Sequence, residues 1–167
     1  MESKAQVLGH SLHQILIVFP LGLLTTSAGF DVLGLLTRET RWPVMSYYMI
    51  LVGLLGGVAA IVCGYIDYRA IPDHTRAKRI GRLHGWGGLV MMLFFTISAY
   101  LRSTNPAVVH PAALACALAG LLLITITGWL GGELVSRMGV GVTDHATLDT
   151  PSSFARQTPP PHQVAGA

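Results

Sequence analysis

Charged side chains are scarce in this 167-residue chain: Asp, Glu, Lys and Arg make up 11% of it, under half the roughly 25% of a soluble domain. Cysteine is scarcer still, at 2 residues, which excludes a disulfide-built secreted scaffold. A pI near 9.1 rests on a formal net charge of only +3, too little for the dense basic surface that holds nucleic acid. No Gly-x-Ser-x-Gly elbow, glycine-rich phosphate loop, Cys-x-x-Cys pair or His-Glu-x-x-His motif occurs, so hydrolase, nucleotide-driven pump and thiol-redox chemistries lack their usual carriers. Alternation of apolar and polar residues is also missing, which excludes membrane-spanning strands.

What fills the chain is apolar: 51% hydrophobic residues and 19 glycines, with a mean hydropathy of +0.55. The stretches 15–36, 44–66, 83–101 and 111–130 hold no Asp, Glu, Lys or Arg apart from Asp31, and each is close to the ~20 apolar residues that cross a bilayer. In lipid, only a helix satisfies the backbone of an open chain. The expected fold is therefore all-α: a four-helix transmembrane bundle in a domain of residues 1–138, with helices at about 11–36, 44–68, 76–102 and 109–136. A flexible Thr/Ser/Pro-rich tail is expected over 139–167. Ser11-Leu12-His13-Gln14 has capping-box spacing, Pro43 and Pro111 suit first-turn positions, and Pro20 predicts a kink inside helix one.

Basic residues set the expected orientation. Lys4, the loop residues Arg69, Arg76, Lys78, Arg79 and Arg82, and the tail residues Arg137 and Arg156 lie on one side; Arg38, Arg41 and Arg102 lie on the other. The positive-inside rule places both termini in the cytoplasm. The bilayer is then the first partner, and Arg69, Arg76, Lys78, Arg79 and Arg82 are expected to meet anionic lipid headgroups.

Small residues recur at close-packing intervals, as Gly53, Gly57, Ala60 and Gly64, then Gly81, Gly85 and Gly88, then Gly128 and Gly132, and mark inward faces. Cys63 and Cys116 fall at different depths and are not expected to pair. Most ionisable residues near the spans fall at one end: His13, Asp67, His84 and Glu133, one from each helix. Such residues at membrane depth mark a candidate site. His13 and His84 meet the axial-ligand requirement of a b-type haem; with Asp67 and Glu133 they form an N/O set for a divalent metal ion or a proton relay. The competing reading is structural, with Asp67 paired to Arg69 or Arg82 and Glu133 to Arg137. His10 is ambiguous, since a Ser11 cap puts it outside the helix. Toward the other end, Asp31 and His110, with Thr25 or Thr26, could make a small polar site, and a structural hydrogen bond is the reading favoured there. A weak two-hairpin repeat relates His13 to His84 and spans one and two to spans three and four.

The residues that carry this argument resemble a bacterial family of four-helix inner-membrane proteins catalogued as a domain of unknown function. The resemblance rests on Gly9-His10-Ser11-Leu12-His13, Phe19-Pro20-Leu21-Gly22-Leu23-Leu24, Phe30-Asp31, Gly64-Tyr65-Ile66-Asp67-Tyr68, Arg82-Leu83-His84 and Gly128-Trp129-Leu130-Gly131-Gly132-Glu133-Leu134-Val135, spanning about residues 8–142. It implies a multi-pass protein of the bacterial inner membrane with no established activity, and its matched ionisable residues are His10, His13, Asp31, Asp67, His84 and Glu133. Similar domains occur fused to c-type cytochrome or Rieske domains, which implies a redox setting. Two expectations follow: a redox membrane subunit with a haem between His13 and His84 near the cytoplasmic face, or a non-enzymatic assembly subunit of a larger membrane complex or homo-oligomer. Stand-alone catalysis is not expected.

Overall fold

The computed structural model describes residues 1–144 and 146–154. The first span, Leu12–Thr37, consists of α1 (Leu12–Leu16), a π-helical turn (Pro20–Leu24) and α2 (Thr25–Thr37). Pro20 has no N–H to donate and its ring crowds the preceding turn, and the helix absorbs the disruption by widening into the π turn. The other spans are α3 (Arg41–Ala70), α4 (Arg76–Arg102) and α5 (Pro111–Gly132), the last continuing as a π-helical Glu133–Arg137. All four spans are long and apolar enough to cross a membrane, and their ends lie within one turn of those expected from the sequence. Exposed Leu55, Val62, Leu93 and Leu122 ring the outside, as suits lipid rather than water. Cys63 and Cys116 are free thiols.

Successive spans pack side by side, α2 on α3, α3 on α4 and α4 on α5, and α2 also meets α5, closing the ring. Among the described residues both termini lie at one end of this ring. There the all-α expectation missed a small hairpin: β1 (Gln6–Val7) pairs antiparallel with β2 (His10–Ser11). Its turn places Leu8 at φ 50° and Gly9 at φ 79°, the doubly left-handed geometry of a tight hairpin. His10 sits on this hairpin, exposed, with Nδ1 3.0 Å from the carbonyl of Leu8. Ser11 occupies the N-cap of α1 without a side-chain capping bond, so the capping box is not formed. The free tail expected from residue 139 is also corrected at its start. The Met1 amine donates to the Gly139 carbonyl at 3.1 Å and pairs with Asp144, and the Gly141 amide donates to the Met1 carbonyl at 2.9 Å. The expectation for residue 145 and for residues 155–167 lies outside the described residues.

The two-hairpin repeat is visible in the burial pattern. In the first and third spans, buried positions match at an offset of 71: Pro20 with Met91, Leu24 with Phe95, Ser27 with Ser98, Ala28 with Ala99, Asp31 with Arg102. In the second and fourth the offset is 67: Ser46 with Ala113, Ile50 with Ala117, Gly53 with Gly120, Gly57 with Ile124, Ala60 with Thr127. The contacts repeat as well. A Cβ on Gly53 would come within 2.7 Å of Leu24, and one on Gly120 within 2.6 Å of Phe95; glycine at these two positions lets each helix approach the core residue of its hairpin partner.

At the end away from the termini, Asp31 and Arg102 form an ion pair at 2.8 Å, 0% and 2% exposed. Arg102 Nη1 also donates to Ser46 Oγ at 3.1 Å, Nη2 to Ser98 Oγ at 2.9 Å, and Nε to the Ser98 carbonyl at 3.3 Å. Arg102 is a core residue rather than the loop charge expected from the sequence, and Asp31 has the structural role favoured for it, with Arg102 as its partner and His110 exposed ahead of α5. Removing one partner leaves a buried charge uncompensated, whereas replacing both removes the charge altogether. Asp31→Asn or Arg102→Gln is expected to destabilise the detergent-solubilised protein by about 3–5 kcal/mol, and Asp31→Leu with Arg102→Met to restore most of that loss. Thermal unfolding followed by circular dichroism checks both outcomes.

Candidate functional site

At the termini end, the four spans diverge around a cavity of about 660 Å³, within the ~300–1,000 Å³ range of cofactor and ligand sites. Its walls are mostly apolar, and glycines from three spans line it. The glycines divide by what they face. A Cβ on Gly85, Gly88, Gly128 or Gly132 would meet nothing within 4 Å, so these positions look onto the open volume. Gly64 and Gly131 instead lie against imidazoles: a Cβ there would come within 2.8 Å of His13 Nδ1 and 3.2 Å of His84 Cε1.

Both histidines line the cavity. His13, on α1, points Nδ1 at the Ala60 carbonyl of α3 at 2.7 Å; His84, on α4, points Nδ1 at the Thr127 carbonyl of α5 at 2.9 Å. A carbonyl only accepts, so each Nδ1 carries the proton and donates. The neutral ring is thereby fixed in the tautomer whose Nε2 lone pair is available as a ligand or proton acceptor. The ring centroids are 6.0 Å apart, with planes at 85°. Donors, acceptors and neighbouring glycines all match across the repeat, so the pair is related by the same pseudo-twofold as the buried core.

The two carboxylates are held elsewhere. Asp67, 8% exposed, lines the cavity but receives the N-terminal segment: Ser3 Oγ donates to it at 2.7 and 2.8 Å, the Lys4 amide at 2.7 Å and the Ala5 amide at 3.1 Å. It pairs with neither Arg69 nor Arg82. Glu133 pairs with Arg76 at 2.8 Å rather than with Arg137. Among the described residues, no three His, Cys, Asp or Glu side chains gather as a group that would hold a metal ion. The polar contacts at this end therefore sort into two imidazoles facing a cavity and two carboxylates closing the protein around it.

The basic loop also divides. Thr75 caps α4 by accepting from the Lys78 amide at 3.1 Å, and Lys78 Nζ caps the end of α3 through the carbonyls of Tyr68 and Ile71 at 3.1 and 2.9 Å. Arg76 is taken by Glu133 and Arg69 leans on the Tyr65 hydroxyl. Arg79 and Arg82 are exposed. The clasp of Asp67 on residues 3–5 escaped sequence reasoning because nothing in a short polar leader signals a fold. The partner of Asp31 was open to discovery, since the repeat offset that links His13 to His84 also links Asp31 to Arg102.

Asp67→Ala strips the acceptor from two amides and a hydroxyl, opening the N-terminal segment locally. Hydrogen exchange at the Lys4 and Ala5 amides is expected to accelerate by about 100-fold or more, with the spans still protected.

No curated protein and no solved structure matches the chain. A family model described as predicted membrane protein (DUF2231) matches residues 9–144, from the first hairpin through the helices that build both polar layers. The chain belongs to this family of membrane proteins.

Proposed function

We propose that the chain is a small redox membrane protein that holds a b-type haem between His13 and His84. The observation that carries this reading is the histidine pair: two imidazoles, each fixed through Nδ1 by a backbone carbonyl, with centroids 6.0 Å apart at a glycine-lined cavity. An imidazole binds a metal ion at about 2 Å, and its centroid lies about 1 Å further back, so two imidazoles on opposite sides of one iron have centroids about 6 Å apart. Gly85, Gly88, Gly128 and Gly132 leave free the volume that a flat macrocycle needs, and the Nδ1 bonds supply the outer support that haem-ligating histidines use. A haem held there would supply one-electron transfer, and His13 and His84 would be the residues that hold it.

The proposed setting is the bacterial inner membrane with both termini cytoplasmic. The uneven spread of Lys and Arg supports this, more strongly now that Arg102 is withdrawn into the core. The histidine pair then lies near the cytoplasmic face, and the electron partner is a component of a larger redox complex.

Detergent-purified full-length protein from a haem-replete host is expected to show a Soret band and a sharpened reduced α-band. His13→Ala and His84→Ala should each abolish that spectrum. Gly128→Leu separates cavity from fold: leucine is a better helix former than glycine by up to about 1 kcal/mol, so the span persists while haem is excluded. A featureless visible spectrum from the wild type after haem reconstitution would overturn the haem reading and favour the assembly-subunit role.

A further inference from the structure

Resting on the haem reading, we propose that Arg82 is the anion anchor of the site, pairing with the carboxylates on the haem rim at the cavity mouth. Arg82 is the sole Lys or Arg among the residues lining the cavity. Its neighbours are committed elsewhere, Lys78 to the α3 carbonyls and Arg76 to Glu133. Arg82 itself makes no ion pair or hydrogen bond among the described residues.

The shape of the cavity leaves a rim carboxylate no other place. Its deep end is closed by Pro20, Met91, Met92 and Ile124, all buried, where an unpaired carboxylate would be costly. The only carboxylate in the lining, Asp67, is engaged with Ser3, Lys4 and Ala5. On α4, at 100° per residue, His84 and Arg82 lie about 160° apart, with Gly81, Gly85 and Gly88 on the arc between them. A flat ligand lying along that glycine stripe with its metal at His84 therefore brings its rim toward Arg82. The repeat offset of 71 that matches His13 with His84 also matches Ser11 with Arg82, and Ser11 lines the cavity too. The equivalent position is thus polar in both hairpins, and Arg82 is the one cation in the lining among the described residues.

The test titrates the full-length apo-protein in neutral detergent with haem b and with its dimethyl ester, whose rim carboxylates are masked. Wild type is expected to prefer the free acid by about tenfold or more, the range of a charge-assisted hydrogen bond. Arg82→Gln should abolish the preference and Arg82→Lys should keep part of it, all three retaining the same six-coordinate spectrum. Equal affinity of wild type for the two ligands, or a preference that survives in Arg82→Gln, would overturn the anchor and leave the histidine ligation standing, with Arg82 then free for lipid headgroups. A wild type that forms a six-coordinate spectrum with neither ligand would remove the haem reading and the anchor together.

Discussion

A helix carbonyl already accepts the amide four residues on, and the side chain of that later residue leans back over the same turn. A bulky ring donor from a neighbouring helix reaches the carbonyl most readily where that side chain is missing. Gly64 follows Ala60 by four residues, and Gly131 follows Thr127 by four, so each imidazole meets its acceptor across a bare patch of helix. The constraint runs outward from there. Each glycine sets how closely the histidine-bearing span approaches its hairpin partner, and the bond sets the imidazole tautomer. Two such contacts related by a pseudo-twofold place the rings 6.0 Å apart. A methyl group at Gly64 would come within 2.8 Å of His13 Nδ1 and force the ring to shift, whereas one at Gly131 would crowd His84 less tightly, at 3.2 Å.

The spans were legible because lipid demands long apolar helices, and their composition identifies them without reference to neighbours. Pro20 was legible as a disruption, though not as the π turn that accommodates it, because the choice between kink and π turn depends on what packs against it. The partners of charged residues were much less legible. Asp67 was placed with cations nearby in sequence, yet its donors are two backbone amides and a hydroxyl from residues 3–5. Backbone donors leave no residue signature. Glu133 found Arg76 because α4 and α5 are packed along their length, and that pairing required the tertiary arrangement.

The two ends of the bundle handle polarity in different ways. Away from the termini, a full charge pair is enclosed, and the guanidinium is further satisfied by Ser46 and Ser98. The guanidinium's contribution is register: Asp31 belongs to α2, Arg102 to α4 and Ser46 to α3, so one side chain links three helices, with Oδ2 of Asp31 left without a partner among the described residues. At the termini end the inward groups are imidazoles, which in their neutral form are much cheaper to hold beside an apolar cavity than ions are. The carboxylates there are engaged, Asp67 in the cavity wall by the N-terminal segment and Glu133 by Arg76. The termini end is therefore the one whose imidazoles face an open volume, whereas the unpartnered Oδ2 of Asp31 at the other end is buried.

The repeat explains why the two ends differ. Residues facing each other across a pseudo-twofold occupy equivalent positions, and identical ionisable side chains there, at close range in a low dielectric, repel when both are charged. Where the bundle is tightly closed, an equivalent pair that remains ionised must therefore diverge to opposite signs, as Asp31 and Arg102 have. Histidine escapes that pressure because it is stable as a neutral ring. His13 and His84 have remained the same residue in the same hydrogen-bonded pose, with only the acceptor residues, Ala60 and Thr127, differing in side chain. Identity retained at one equivalent pair and lost at the other is what a ligand with two similar faces would require of this fold. A bound ion or macrocycle on the axis needs matching donors from both hairpins, whereas an internal salt bridge needs complementary ones.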